Sequence, residues 1–191
     1  MSRAPRRAYR RGKLAYRDLL LCAPDLGEGN PMLATFCESM VFVALWMGAE
    51  GSVSVGGLRL VASDVLGFVR LRFVGLVRNA NRGTHALDFR LDAMRAAEAW
   101  VQRHEGEFES AWRATFDDAR HEGGVFFEYT RCPIAEYCRE LGISQVTPVV
   151  CDLDHHMVRL VHARLIRERT LAEGGDGCEY WIVGDEVVDP R

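Results

Sequence analysis

The chain has 191 residues, of which 48% are hydrophobic and 27% charged, a balance that suits one folded domain and excludes collagen, wholesale disorder and a disulfide-dense mini-protein. The longest apolar runs, such as Val41 to Met47, fall far short of the ~20 residues of a membrane span. The net charge of -3 is unevenly spread: residues 1–17 carry Arg3, Arg6, Arg7, Arg10, Arg11, Lys13 and Arg17 with no acid, so the remainder stands at -10.

That acidic remainder argues against a nucleic-acid footprint on the body, because a phosphate backbone needs a basic face. Residues 1–13 read as a basic flexible tail, and 14–191 as a single α+β domain. Neither a membrane nor a nucleic acid is expected as a partner; a homodimer is left open. The Arg6-Arg7 and Arg10-Arg11 pairs precede no apolar leader segment, so a cytoplasmic location is expected. In a reducing compartment the six cysteines are candidates for nucleophiles or metal ligands before disulfides.

In chain order, Asn30-Pro31 predicts a helix start. Met32, Leu33, Phe36, Met40, Val43 and Met47 form its stripe, and the glycine-rich stretch from Gly48 to Gly57 ends it. Ser63 or Asp64 caps a second helix through Leu66, Val69, Phe73 and Leu76, with Gly67 and Gly75 leaving a strand pair as the alternative. Asp88 to Arg120 has helical period through Trp100, Val101, Phe108, Trp112 and Phe116, bent or broken at Gly106.

The C-terminal third is richer in strands. Val125 to Arg131 and Cys178 to Val183 read as strands, and His162 to Thr170 alternates as another. Pro133 to Leu141 and Val146 to Val161 read as helices, and Leu171 to Gly177 as a glycine-rich turn. The expected fold class is α+β, with a helical N-terminal half packed on an antiparallel sheet formed mainly by the C-terminal third.

Four polar features carry the chemistry. Cys132, before Pro133 at a strand-to-helix junction, stands at a helix N-cap, where unpaired N–H groups favour a thiolate and should lower its pKa. Cys151, Asp154 and His155 share one helix face at i, i+3 and i+4, as a thiol with a base or as part of a metal site. Alternation places Arg167 and Arg169 together, one of them a fork for a carboxylate. The turn Gly174-Gly175-Asp176-Gly177 delivers Asp176 and Cys178 together.

Arg131-Cys132-Pro133, Cys151 with Asp154, the run from Arg169 to Ala172, and Gly174-Gly175-Asp176 with Cys178 together resemble the L-2-amino-thiazoline-4-carboxylic acid hydrolase family, over roughly residues 125–183. The resemblance implies a small-molecule hydrolase that opens a carboxylated nitrogen- and sulfur-containing ring, or a related biosynthetic enzyme on the same scaffold. Placed on this chain, Cys132 is the nucleophile, Asp154 and Asp176 the acid/base candidates with His155 a lesser one, and Arg169 the carboxylate clamp. Cys151 and Cys178 line the pocket. No cofactor is then expected. The last strand also resembles vinyl-reductase-type, TRAPP-like ligand-binding domains. That implies the alternative: a non-catalytic sensor with zinc held by Cys151, Asp176 and Cys178.

Overall fold

A computed structural model describes residues 3–66, 78–83 and 85–188. Six helices run along the described chain: α1 (Arg3–Leu21), α2 (Leu33–Gly48), α3 (Val55–Leu66), α4 (His85–Arg103), α5 (Pro133–Glu140) and α6 (Thr147–Arg159). Four strands, β1 (Arg113–Phe116), β2 (Val125–Arg131), β3 (Ala163–Ile166) and β4 (Cys178–Gly184), form one sheet in the order β1-β2-β4-β3 with every pairing antiparallel. The architecture is α+β, with helices concentrated in the N-terminal part and the sheet in the C-terminal part.

The sheet works because β2 and β4 alternate. Phe127 and Tyr129 face the helices together with Tyr180 and Ile182, and join Phe36, Met40, Val149 and Val158 in the main core. The opposite face presents Phe126, Trp181 and Val183, a separate small cluster joined by Ile166. The loop after β1 caps this cluster. His121 stacks on Trp181 at 3.9 Å, and Trp181 Nε1 donates to the Gly123 carbonyl at 3.1 Å. Gly124, at φ +75°, has no room for a Cβ beside the Ile182 backbone.

Several expectations change. The basic segment is helical from Arg3, as the first half of α1. Its Arg11 donates to the Gly48 carbonyl at 3.0 Å and pairs with Glu50. Helix α1 sits very close to α2: a Cβ on Gly48 would lie 2.7 Å from Gly12 Cα and 2.8 Å from the Ala8 carbonyl oxygen. The glycine-rich stretch ends α2 at Gly48 as expected, but its last residues already belong to α3: Ser54 accepts from Gly57 N at 3.1 Å, and the helix starts eight residues earlier than Ser63. Val69, Phe73 and Leu76 of the expected second helix lie outside the described residues. The long helix from Asp88 stops at Arg103, with Gly106 at φ +83° beyond it. The segment expected to continue it supplies β1, held to α4 by Ala114 N donating to Glu98 at 2.8 Å. Strand β3 ends at Ile166 rather than Thr170.

Two polar contacts seat α6 beside α3. Arg59 pairs with Asp152 at 2.6 Å, and Ser63 Oγ lies 3.0 Å from His156 Nε2. Tyr137 of α5 reaches α1 by donating to the Leu19 carbonyl at 2.9 Å. These ties fix the helices that carry the site residues.

Candidate functional site

The helix-facing side of the sheet carries a buried polar group. Arg167, just past the end of β3, keeps only 4% of its side chain exposed and pairs with Asp154 of α6 at 3.1 Å. Its other nitrogens donate to the carbonyls of Cys151 and Glu179. The guanidinium lies over the Tyr180 ring, 4.2 Å from its centroid, and the Tyr180 hydroxyl donates to Asp154 at 2.5 Å. Burial works to lower the Arg167 pKa, but Tyr180, Asp154 and Cys151 outweigh it and raise it. Burial, followed by Asp154, pushes the Tyr180 phenol far up, so it keeps its proton.

Three thiols surround this group, each from a different element. Cys132 is the N-cap of α5 with Pro133 behind it. Cys151 is on α6, and Cys178 opens β4 opposite Tyr129 of β2. Cys178 Sγ accepts from Leu171 N at 3.1 Å. The expected depression of the Cys132 pKa does not occur: burial pushes the thiol up to about 12, against the opposing pull of the Ala135 N–H, with Cys178 and Asp154 adding to the rise. Desolvation outweighs the helix dipole here because the thiolate would have to form away from water. Burial raises Cys151 and Cys178 as well.

Cys151, His155 and Arg167 line a cleft of about 120 Å3, with Thr170 and Glu173 among its other walls. Cys132 is not one of those walls. Burial, then Arg167, lowers the His155 pKa below its ordinary 6.5, so the imidazole is neutral near pH 7.

Arg169 also lines this cleft, whereas Asp176 does not. Because β3 ends at Ile166, strand alternation no longer governs the next residues, and Arg167 and Arg169 separate. Arg169 turns to the outer face and donates to Glu128 at 2.8 Å, to Glu179 at 3.1 Å and to Asp176. Asp176 is 82% exposed there. Gly177 serves this packing, since a Cβ there would strike the Glu128 carboxyl. Cys178 points inward and Asp176 outward, so the set Cys151, Asp176 and Cys178 does not converge. Among the described residues no group of three or more His, Cys, Asp or Glu side chains is placed to hold a metal ion. The sequence reading missed Tyr180, and it raised Arg167 only as an equal of Arg169. Tyr180 was legible, because period-two alternation from Cys178 puts it on the same face.

The family model for L-2-amino-thiazoline-4-carboxylic acid hydrolase matches residues 76–182, more than half of the chain. The chain belongs to this family. The match takes in Cys132, Cys151, Asp154, Arg167 and Tyr180, so the buried group lies wholly inside the family region. Comparisons with curated proteins and with solved structures found no match.

Proposed function

We propose that this chain hydrolyses a small carboxylated heterocycle containing nitrogen and sulfur, of which 2-aminothiazoline-4-carboxylate is the example the family name supplies. The observation that carries the reading is the buried Arg167–Asp154 pair beside the cleft wall. A buried ion pair contributes little net stability against an apolar replacement, so its presence favours a binding role. A ring with a carboxylate carries the negative charge that Arg167 on the cleft wall matches. The substrate carboxylate meets the Arg167 fork on the cleft wall, and Asp154, behind that wall with Tyr180, holds the guanidinium in position.

The thiols keep their protons and Cys132 lies off the cleft, which favours water over a thiolate as the nucleophile. His155, neutral and on the cleft wall, takes a proton from water as oxygen bonds to the amidine-like carbon. The ring C–S bond then breaks as the new hydroxyl gives up its remaining proton, to the ring nitrogen or to solvent, and becomes the carbonyl; sulfur keeps the electron pair, and the imidazolium returns its proton to it. One water is consumed, and an N-carbamoyl amino acid with a free thiol is released. Arg169 and Asp176 brace the outer face in this scheme. Six free cysteines fit a reducing, cytoplasmic setting.

Incubation with 2-aminothiazoline-4-carboxylate and mass spectrometry for a product heavier by one water tests the reading; an unchanged substrate overturns it. His155→Gln should lower turnover about a hundredfold or more, the usual range for a lost general base, while Cys132→Ala should keep it within tenfold. A collapse of turnover in Cys132→Ala with an adduct on Cys132 in the wild type would restore the thiol route. One zinc per chain in protein purified without added metal would shift the reading to a zinc-holding ligand-binding domain.

A further inference from the structure

Helix α1 presents a face that the site does not use. Arg6, Arg10, Lys13 and Arg17 are exposed and recur at i, i+4, i+7 and i+11, which aligns them on one side of a helix. Leu14 and Leu21 fall between and beside them on that side, 53% and 76% exposed. Lys13 also lies over the Tyr9 ring at 5.9 Å, and Tyr9 is itself 61% exposed. The opposite face is committed to the body through Gly12, Leu19 and Arg11. Its orientation is therefore fixed.

We propose that this face docks on an anionic phospholipid surface. Four cations in one row match a plane of negative headgroups, and long arginine stems let neighbouring leucines and Tyr9 reach the acyl boundary while the charges stay in the headgroup layer. Exposed leucines interleaved with the cations favour lipid over nucleic acid, whose phosphates offer them nothing apolar. Residues 18–191 carry -10, so the same surface repels the body and turns α1 toward the bilayer.

The test is sedimentation of the full chain with vesicles of phosphatidylcholine containing 30% phosphatidylserine, with pure phosphatidylcholine vesicles in parallel. Binding should require phosphatidylserine. It should weaken at least tenfold between 0.1 and 1 M salt, as the screening length falls from ~10 to ~3 Å. The variant Arg6→Gln/Arg10→Gln/Lys13→Gln/Arg17→Gln should bind at least a hundredfold more weakly, since each cation near such a surface contributes about fivefold. Its circular dichroism should be unchanged, because all four side chains are exposed. Leu14→Ser/Leu21→Ser should weaken binding at both salt concentrations. Equal binding to both vesicle types, no binding to either, or a full response to the leucine pair only at low salt would each overturn the proposal. Salt-sensitive self-association without vesicle binding would overturn it in favour of a second copy of the chain.

Discussion

The two faces of the sheet use the same ingredients to opposite ends. On the helix-facing side, a buried guanidinium pairs with a partly exposed carboxylate beside a buried phenol and three thiols. On the outer side, Arg120 and Arg169 bridge Glu128 and Glu179, which face each other across β2 and β4, at the surface. Like charges directly opposite normally weaken a sheet, and the two arginines offset that repulsion here. The difference lies in the arginines: Arg167 keeps 4% of its side chain exposed against 37% for Arg169 and 39% for Arg120, while the carboxylates on both faces are largely covered.

Breaking the inner pair should have the largest effect. Arg167→Met leaves Asp154 facing the core without its cation, a loss of roughly 3–5 kcal/mol. Thermal unfolding of that variant, and of Arg167→Met/Asp154→Leu, checks it; the double variant should regain much of the loss. A single variant that melts like the wild type would show the pair to be solvated.

A comparable loss, about 3–5 kcal/mol, is expected for Phe127→Ala, because Phe127 is fully buried between the sheet and the helices. Chemical denaturation measures it. The outer aromatic cluster is small and is capped by His121 of the loop after β1, so His121→Ala should cost much less in the same experiment.

The thiols sharpen the contrast through pH. Cys132 is raised from an ordinary 9.0 to about 12, so the native state holds its proton where the unfolded chain has lost it. The stability this contributes is complete below about pH 9 and is lost as pH rises toward 12. Melting temperature should therefore fall over that window, and Cys132→Ala should flatten the fall. In the same vein, exposed Cys22 should be alkylated well before Cys132 at neutral pH, as peptide mapping would read. The acid limb of turnover should lie below pH 6.5, following the lowered His155.

The smallest effect belongs to Arg169→Lys. It should shift melting slightly and leave substrate affinity unchanged. An affinity loss with an intact fold would return the clamp role to Arg169.

Most of the sheet was legible because β2 and β4 are apolar, alternating and bounded by glycine or proline. Strand β1 was not, since Trp112 and Phe116 continue the helical period of Trp100 and Phe108, and only pairing with β2 decides against it. The thiols and Asp154 were found as residue types, but their electrostatics were not. A helix N-cap predicts an activated cysteine from local geometry, whereas burial is a property of the whole fold. Arg167 was passed over for Arg169 for a related reason: reading alternation past Ile166 made the two equivalent, and only the end of β3 separates them.

The contact between Gly12 and Gly48 has an evolutionary consequence. Helix α1 is seated by backbone meeting backbone, with no side chain at the point of closest approach. A methyl group at position 48 would lever the helix away, so that site has almost no mutational freedom. The outward residues of α1 take no part in the seating, and their side chains are free to diverge while the helix stays in place. Across relatives sharing the seat, the outer row of α1 can then be rewritten for different surfaces at little cost to the fold beneath it.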